Sequence, residues 1–125
     1  RLSEVDLAYL YPRIHIEQLL AGWFDMGLSL VILTRGEEGA VGYLPDGNKV
    51  EQDAPRINVV DTVGAGDTFF SAALAYLFDH GLLADRSRIA GMGEEHLSRC
   101  LEYAVKAAAI NCTREGANPP YKHEM

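Results

Sequence analysis

The stretch NVVDTVGAGDTFFSAALAYL, from Asn58 to Leu77, constrains this chain more than any other part of it. Two glycines, Gly64 and Gly66, interrupt regular structure between Asp61 and Asp67. The run after Asp67 is apolar on nearly every face, which predicts a helix over residues 68–80 that is deeply buried and ends at Gly81. The chain has the means to bury it. Its 125 residues are 48% hydrophobic, enough for one domain with a real core.

The remaining segments set that helix in a layered fold. Ser3 and Asp6 form a capping-box-like start to a short helix that Pro12 stops. Residues 15–26 carry Ile16, Leu19, Leu20, Trp23 and Phe24 at helical spacing, closed by Gly27. LSLVILT, Leu28–Thr34, is β-branched and reads as a buried strand. A helix feeding such a strand suggests an α/β fold with a parallel sheet. AVGYL and NKVEQ flank Pro45-Asp46-Gly47-Asn48, a hairpin signal. Residues 81–93 read as a loop. A last long helix is predicted over residues 94–114, with Leu97, Leu101, Ala104, Val105, Ala108, Ala109 and Cys112 on one stripe. Gly116 and the Asn118-Pro119-Pro120 run end it. No internal repeat or low-complexity segment interrupts this order.

Bulk properties remove several function classes. The formal charge of −7, with lysines and arginines scattered, argues against a nucleic-acid partner. No apolar run is long enough for a membrane span. The chain opens Arg1-Leu2-Ser3 without a Met or a secretory signal, which reads as a fragment missing its upstream half. Cys100 and Cys112 lie on one predicted helix, roughly 18 Å apart, beyond disulfide reach. They read as reduced core thiols of a cytoplasmic protein.

The glycine turn offers chemistry. A loop entering a buried helix presents unpaired N–H groups at the positive end of the helix dipole. Gly64, Ala65 and Gly66 have little or no side chain, so a phosphate can come close to their amides. Asp67 beside them would repel a merely bound phosphate. It makes sense as a base taking a proton from a hydroxyl that attacks phosphorus. The alternative is structural: a tight turn with Asp67 as a dipole-friendly residue. Other phosphate motifs are absent. No Gly-Lys-Ser/Thr occurs, Phe69 stands where a dinucleotide fingerprint needs a small residue, and protein-kinase catalytic-loop and metal-binding tripeptides are missing.

DTVGAGDTFFSAALA (Asp61–Ala75) resembles the Asp-Thr-x-Gly-Ala-Gly-Asp signature of the ribokinase-like (PfkB) carbohydrate kinases. VILTRGEEGAVGYL (Val31–Leu44) is similar to that family's second nucleotide segment, and AAAINCTREGANPP (Ala107–Pro120) to its closing helix and tail. The three occur in the family's order, with most likeness to the fructokinase-like branch. The resemblance implies that residues 1–125 are the nucleotide-binding and catalytic carboxy-terminal part of a ribokinase-like three-layer αβα sandwich. The amino-terminal sugar-binding half and lid would lie outside the chain. It implies Asp67 as catalytic base and Gly64, Ala65 and Gly66 as anion hole. Thr34, Gly36 and Gly39 would line the nucleotide phosphates. Asp61, with the Val63 carbonyl, falls where relatives hold a monovalent cation such as K+, although hydrogen bonding within the turn explains Asp61 equally well. The implied ligands are ATP or ADP, Mg2+ and a small sugar. Fructose is favoured over ribose, 2-keto-3-deoxygluconate or a nucleoside, and the intact protein would be a candidate homodimer.

Two positions depart from the family. Its Asn-x-x-Glu magnesium motif is represented by Ser3-Glu4-Val5-Asp6, so Asp6 would act on the metal through water, and helix capping accounts for it as well. An adenine-side Asn of the last helix is replaced by Val105, which implies an apolar seat for the base. His15, His80, His96 and His123 lack metal-ligand spacing and read as surface or cap residues. Trp23, Phe69 and Phe70 read as core.

Overall fold

The computed structural model describes all residues from Arg1 to Met125. A four-stranded sheet, β1 (Leu2–Ser3), β2 (Val31–Thr34), β3 (Ala40–Tyr43) and β4 (Lys49–Gln52), lies in sequence order. Two helices, α1 (Glu4–Leu10) and α2 (Ile16–Asp25), form the crossover from β1 to β2, and this pair is parallel. The other pairs are antiparallel, because a short turn joins β3 to β4 and a single 3-10 turn at Gly36–Glu38 joins β2 to β3. The expected parallel sheet is therefore mixed. Only strands separated by a helical crossover can run parallel, and the hairpin cannot supply one.

Alternation along the strands builds two cores. Val31, Leu33, Val41 and Tyr43 pack with Leu20 of α2 on one face, joined by Leu7, Ile16, Trp23 and Phe24. Ile32, Ala40 and Leu44 join the opposite core, together with Phe69, Ala73, Tyr76 and Leu77 of α3 (Ala65–Asp79) and Leu97, Cys100, Leu101 and Ala104 of α5 (Gly93–Cys112). Helices cover both faces of the sheet, so the fold is a three-layer αβα sandwich. Leu97 and Leu101 are fully buried, and each contributes about 1.5–3 kcal/mol by leaving water.

Several local expectations hold. Ser3 caps α1: its hydroxyl accepts from the Asp6 N–H while the Asp6 carboxylate accepts from the Ser3 N–H, both at 3.0 Å. The hairpin closes where Leu44 N–H donates to the Asn48 carbonyl at 2.9 Å. Others shift. The strand predicted from Leu28 begins only at Val31, since residues 28–30 have no strand beside them and Leu28 is 42% exposed. A short helix, α4 (Arg86–Ala90), occupies part of the predicted loop, with the Asp85 carboxylate capping the Arg88 N–H. No helix is long and apolar enough to cross a membrane.

The helix after the glycine turn starts at Ala65 and is buried on one side only. Thr68, Phe69, Ala73, Tyr76 and Leu77 are buried, whereas Phe70, Leu74 and Phe78 are 45%, 39% and 73% exposed. The sheet and α5 reach only the first stripe. Phe70 and Leu74 line a shallow apolar depression that runs to Leu28 and Leu83. Phe69 is thus core, Trp23 packs at the edge of the smaller core, and Phe70 is not core.

Candidate active site

The Gly64–Asp67 turn takes its shape from its own side-chain bonds and from the chain behind it. Gly64 precedes α3 in a left-handed conformation, φ 76° and ψ 3°, which residues with a Cβ adopt at a cost. A Cβ there would also lie 2.8 Å from the Ala117 Cβ. Within the turn the Asp61 carboxylate accepts from the Val63 N–H at 2.9 Å and, through its other oxygen, from the Gly116 N–H at 3.0 Å. Those amides, Val63 first, hold the Asp61 carboxyl below the usual carboxylate range. The Cys112 carbonyl accepts from the Val60 and Asp61 N–H groups at 2.8 and 3.3 Å. The turn is therefore seated on the end of α5 and on the segment just beyond it.

This seat leaves donors free. Ala65 N–H donates to the Thr62 carbonyl at 3.2 Å and Thr68 N–H to the Gly64 carbonyl at 2.8 Å. The N–H groups of Gly64, Gly66 and Asp67 have no intramolecular acceptor. Of the three amides expected to form an anion hole, those of Gly64 and Gly66 are free and that of Ala65 is engaged in a turn hydrogen bond, while the amide of Asp67 is a further free donor. The Asp67 carboxylate is exposed and makes no hydrogen bond or ion pair. Arg1 adds positive charge: a Cβ at Gly66 would lie 2.1 Å from its Nη2, so the guanidinium rests on the first turn of α3. Free amides, a helix N-terminus and a guanidinium make the spot attractive to a phosphate.

A groove of about 620 Å³ starts at this turn. Gly64, Asp67 and Thr68 line one end, and Tyr103, Ala107 and Pro119 stand farther along. Its size is in the range of small-molecule sites. The tail that walls it is fixed by Lys122, whose Nζ lies 2.6 Å from an Asp79 carboxylate oxygen, and by an ion pair of Arg114 with Glu124.

Other residues singled out from the sequence stand apart from this groove. Thr34, Gly36 and Gly39 do not line it. The Thr34 hydroxyl donates to the Leu2 carbonyl at 3.4 Å. Gly39 has a packing reason of its own, since a Cβ there would come within 2.0 Å of the Gln52 carbonyl oxygen. Val105 is 6% exposed and belongs to the larger core, with Tyr103 and Ala107 forming the groove wall on that helix. Asp6 serves α1, and the Ser3 N–H lowers its carboxyl pKa. No three His, Cys, Asp or Glu side chains stand together as a metal cluster. His15 and His80 lie at helix ends, and His80 and His96 both pack against Tyr76.

The oxygens that the resemblance offers a monovalent cation are each already held by an N–H donor of the fold. Both Asp61 carboxylate oxygens accept backbone N–H groups, and the Val63 carbonyl accepts from Asn111 Nδ2 at 2.9 Å. Asn111 was not among the residues singled out from the sequence. It is fully buried, and its Oδ1 accepts from the Asn118 N–H at 2.9 Å. Its signal was a lone polar residue inside the apolar AAAINC run. Arg1 gave no comparable signal.

Known proteins resemble this chain in sequence and in fold. Residues 14–124 match the family model described as pfkB family carbohydrate kinase. The chain is 41% identical over 97 residues to a fructokinase of Rhizobium leguminosarum bv. trifolii, covering 78% of this chain and 29% of that protein. A putative ribokinase II from E. coli, solved with ATP and Mg2+, superposes with a TM-score of 0.68 at 28% identity, covering 93% of this chain and 33% of that one. A double-mutant fructokinase from Vibrio cholerae O395, in its fructose-, ADP- and potassium-bound form, gives a TM-score of 0.70 at 25% identity, covering 92% and 34%. The chain spans about a third of the length of the relatives it matches.

Proposed function

Because this chain belongs to the pfkB family of carbohydrate kinases, on its fructokinase-like side, we propose that it is the nucleotide-binding and catalytic part of an ATP-dependent sugar kinase. One observation carries the reading: free N–H groups of Gly64, Gly66 and Asp67 stand beside an unpartnered Asp67 carboxylate at the mouth of a groove. The amides and the Arg1 guanidinium draw in the γ-phosphoryl group of ATP. A sugar hydroxyl oxygen attacks phosphorus, the bond to the β–γ bridging oxygen breaks, and ADP leaves with that electron pair. Asp67 takes the hydroxyl proton as the new P–O bond forms. Fixed amide dipoles and orientation lower the barrier most, because they are in place before charge develops.

Magnesium, carried in with ATP, neutralises charge on the β- and γ-phosphate oxygens and needs few protein ligands. Asp6 leaves one carboxylate oxygen, Oδ1, for a water-mediated contact with it. Fructose is the favoured acceptor on the strength of the Rhizobium relative. Two free cysteines suit a reducing, cytoplasmic setting.

A second reading draws on the span of about a third of the relatives: the chain by itself binds nucleotide and transfers nothing. Calorimetry with ATP, with and without a panel of fructose, ribose, 2-keto-3-deoxygluconate and a nucleoside, separates the two. Heat with ATP and product formation support the kinase, whereas heat without product supports the module. No heat with any nucleotide sinks both. Asp67→Asn in the active kinase should lower turnover by about 10²–10⁴-fold with ATP affinity kept, and near-normal turnover would remove Asp67 as base.

A further inference from the structure

We propose that Asn111 takes the place of a monovalent cation in this chain, holding the Val63 carbonyl with a side-chain amide so that the phosphate-binding turn is formed without an ion. Both ends of the side chain are committed. Nδ2 donates to the Val63 carbonyl and Oδ1 accepts from the Asn118 N–H, each at 2.9 Å. These partners fix the amide's orientation, since a carbonyl can face only the NH2 end and an N–H only the oxygen. The residue is completely buried, where an unmet polar group is costly, so the bridge is stiff.

A cation in the turn would draw the Val63 carbonyl and the Asp61 carboxylate toward a common positive charge. Here the same oxygens are drawn by N–H hydrogens: Val63 by Asn111, and Asp61 by the Val63 and Gly116 amides. The partial charges are smaller than an ion's. They are fixed to the fold, however, and cannot dissociate. The Val63 carbonyl and the free N–H of Gly64 belong to one planar peptide, so pinning the first sets the second. Asn111 is thus a positioning residue that acts through the turn. The inference takes from the proposed function that the turn grips phosphate, and its test needs neither nucleotide nor turnover.

Hydrogen exchange at the Val63, Gly116 and Asn118 amides, each hydrogen-bonded in the fold, and the thermal midpoint are measured in potassium chloride and in choline chloride at matched ionic strength. The unsubstituted chain should give the same values in both salts. Asn111→Ala, which removes both hydrogen bonds of the bridge, should exchange at least about tenfold faster at these amides in choline and recover part of that protection in potassium. Asn111→Ser, which keeps a smaller polar group, is the second variant if the alanine form does not fold. Three results would overturn the proposal: protection of the unsubstituted chain that rises with potassium, variant exchange equal to that of the unsubstituted chain, or variant exchange indifferent to the salt. Failure of nucleotide binding in calorimetry would overturn the kinase reading and leave this result standing.

Discussion

Adding one methyl group at Gly64 tests how the turn is held. Gly64→Ala must place a Cβ on a residue with φ 76°, which costs about 1–2 kcal/mol. The same methyl meets the Ala117 Cβ at 2.8 Å, an overlap worth about 1–3 kcal/mol in a packed seat. Together these come to about 2–5 kcal/mol, against the roughly 5–15 kcal/mol that holds a domain folded. With a urea slope of about 2 kcal/mol/M, the midpoint should fall by about 1–2.5 M. The double variant Gly64→Ala with Ala117→Gly separates the two causes. It removes the overlap and keeps the backbone strain, so with Ala117→Gly alone as baseline the coupling should be about 1–3 kcal/mol. A coupling below about 0.5 kcal/mol would refute the close approach of turn and tail. An unchanged midpoint in Gly64→Ala would refute the left-handed turn as well.

Titrating groups give two further expected outcomes. Asp61 has its pKa depressed by amide donors, so its contribution to stability is complete above the ordinary carboxyl value of about 4 and is lost as pH falls through the lower folded value. Urea midpoints measured downward from pH about 5 should show this acid limb in the unsubstituted chain and a flatter one in Asp61→Asn; equal limbs would exclude Asp61 as the source. Burial pushes the Cys100 thiol up to about 12, so at mildly alkaline pH it should alkylate on the order of a thousandfold more slowly than an ordinary thiol. Cys112, whose thiol burial and the Asp61 charge raise by less, should label first, and equal rates for the two cysteines in the folded chain would contradict the packing of α5.

Local chemistry was the part of the fold legible in the sequence. The Ser3–Asp6 cap, the hairpin around Asp46-Gly47 and the halt at Gly27 each depend on residues a few positions apart. The apolar character of α3 was equally plain, yet its degree of burial was not. Periodicity reports which side chains avoid water, and Phe70, Leu74 and Phe78 avoid it without a neighbour in this chain to cover them. Strand direction is hidden from periodicity for a similar reason, since pairing is settled by the connections between strands. At the site, Asp67 and the glycines stood out because their types are unusual together. The engagement of the Ala65 amide depends on one carbonyl, Thr62, turning inward. Asn111 escaped notice because its two partners lie 48 and 7 residues away.

The helix bearing Asp67 on its opening turn is the same one whose Tyr76 and Leu77 are wedged into the larger core against α5. Aim and anchorage thus belong to one stiff rod. A void carved beneath it, at Leu101 for instance, would tilt the rod and swing its tip. On the proposed function, such lesions should show themselves as weakened nucleotide binding at temperatures where the molecule is still fully folded.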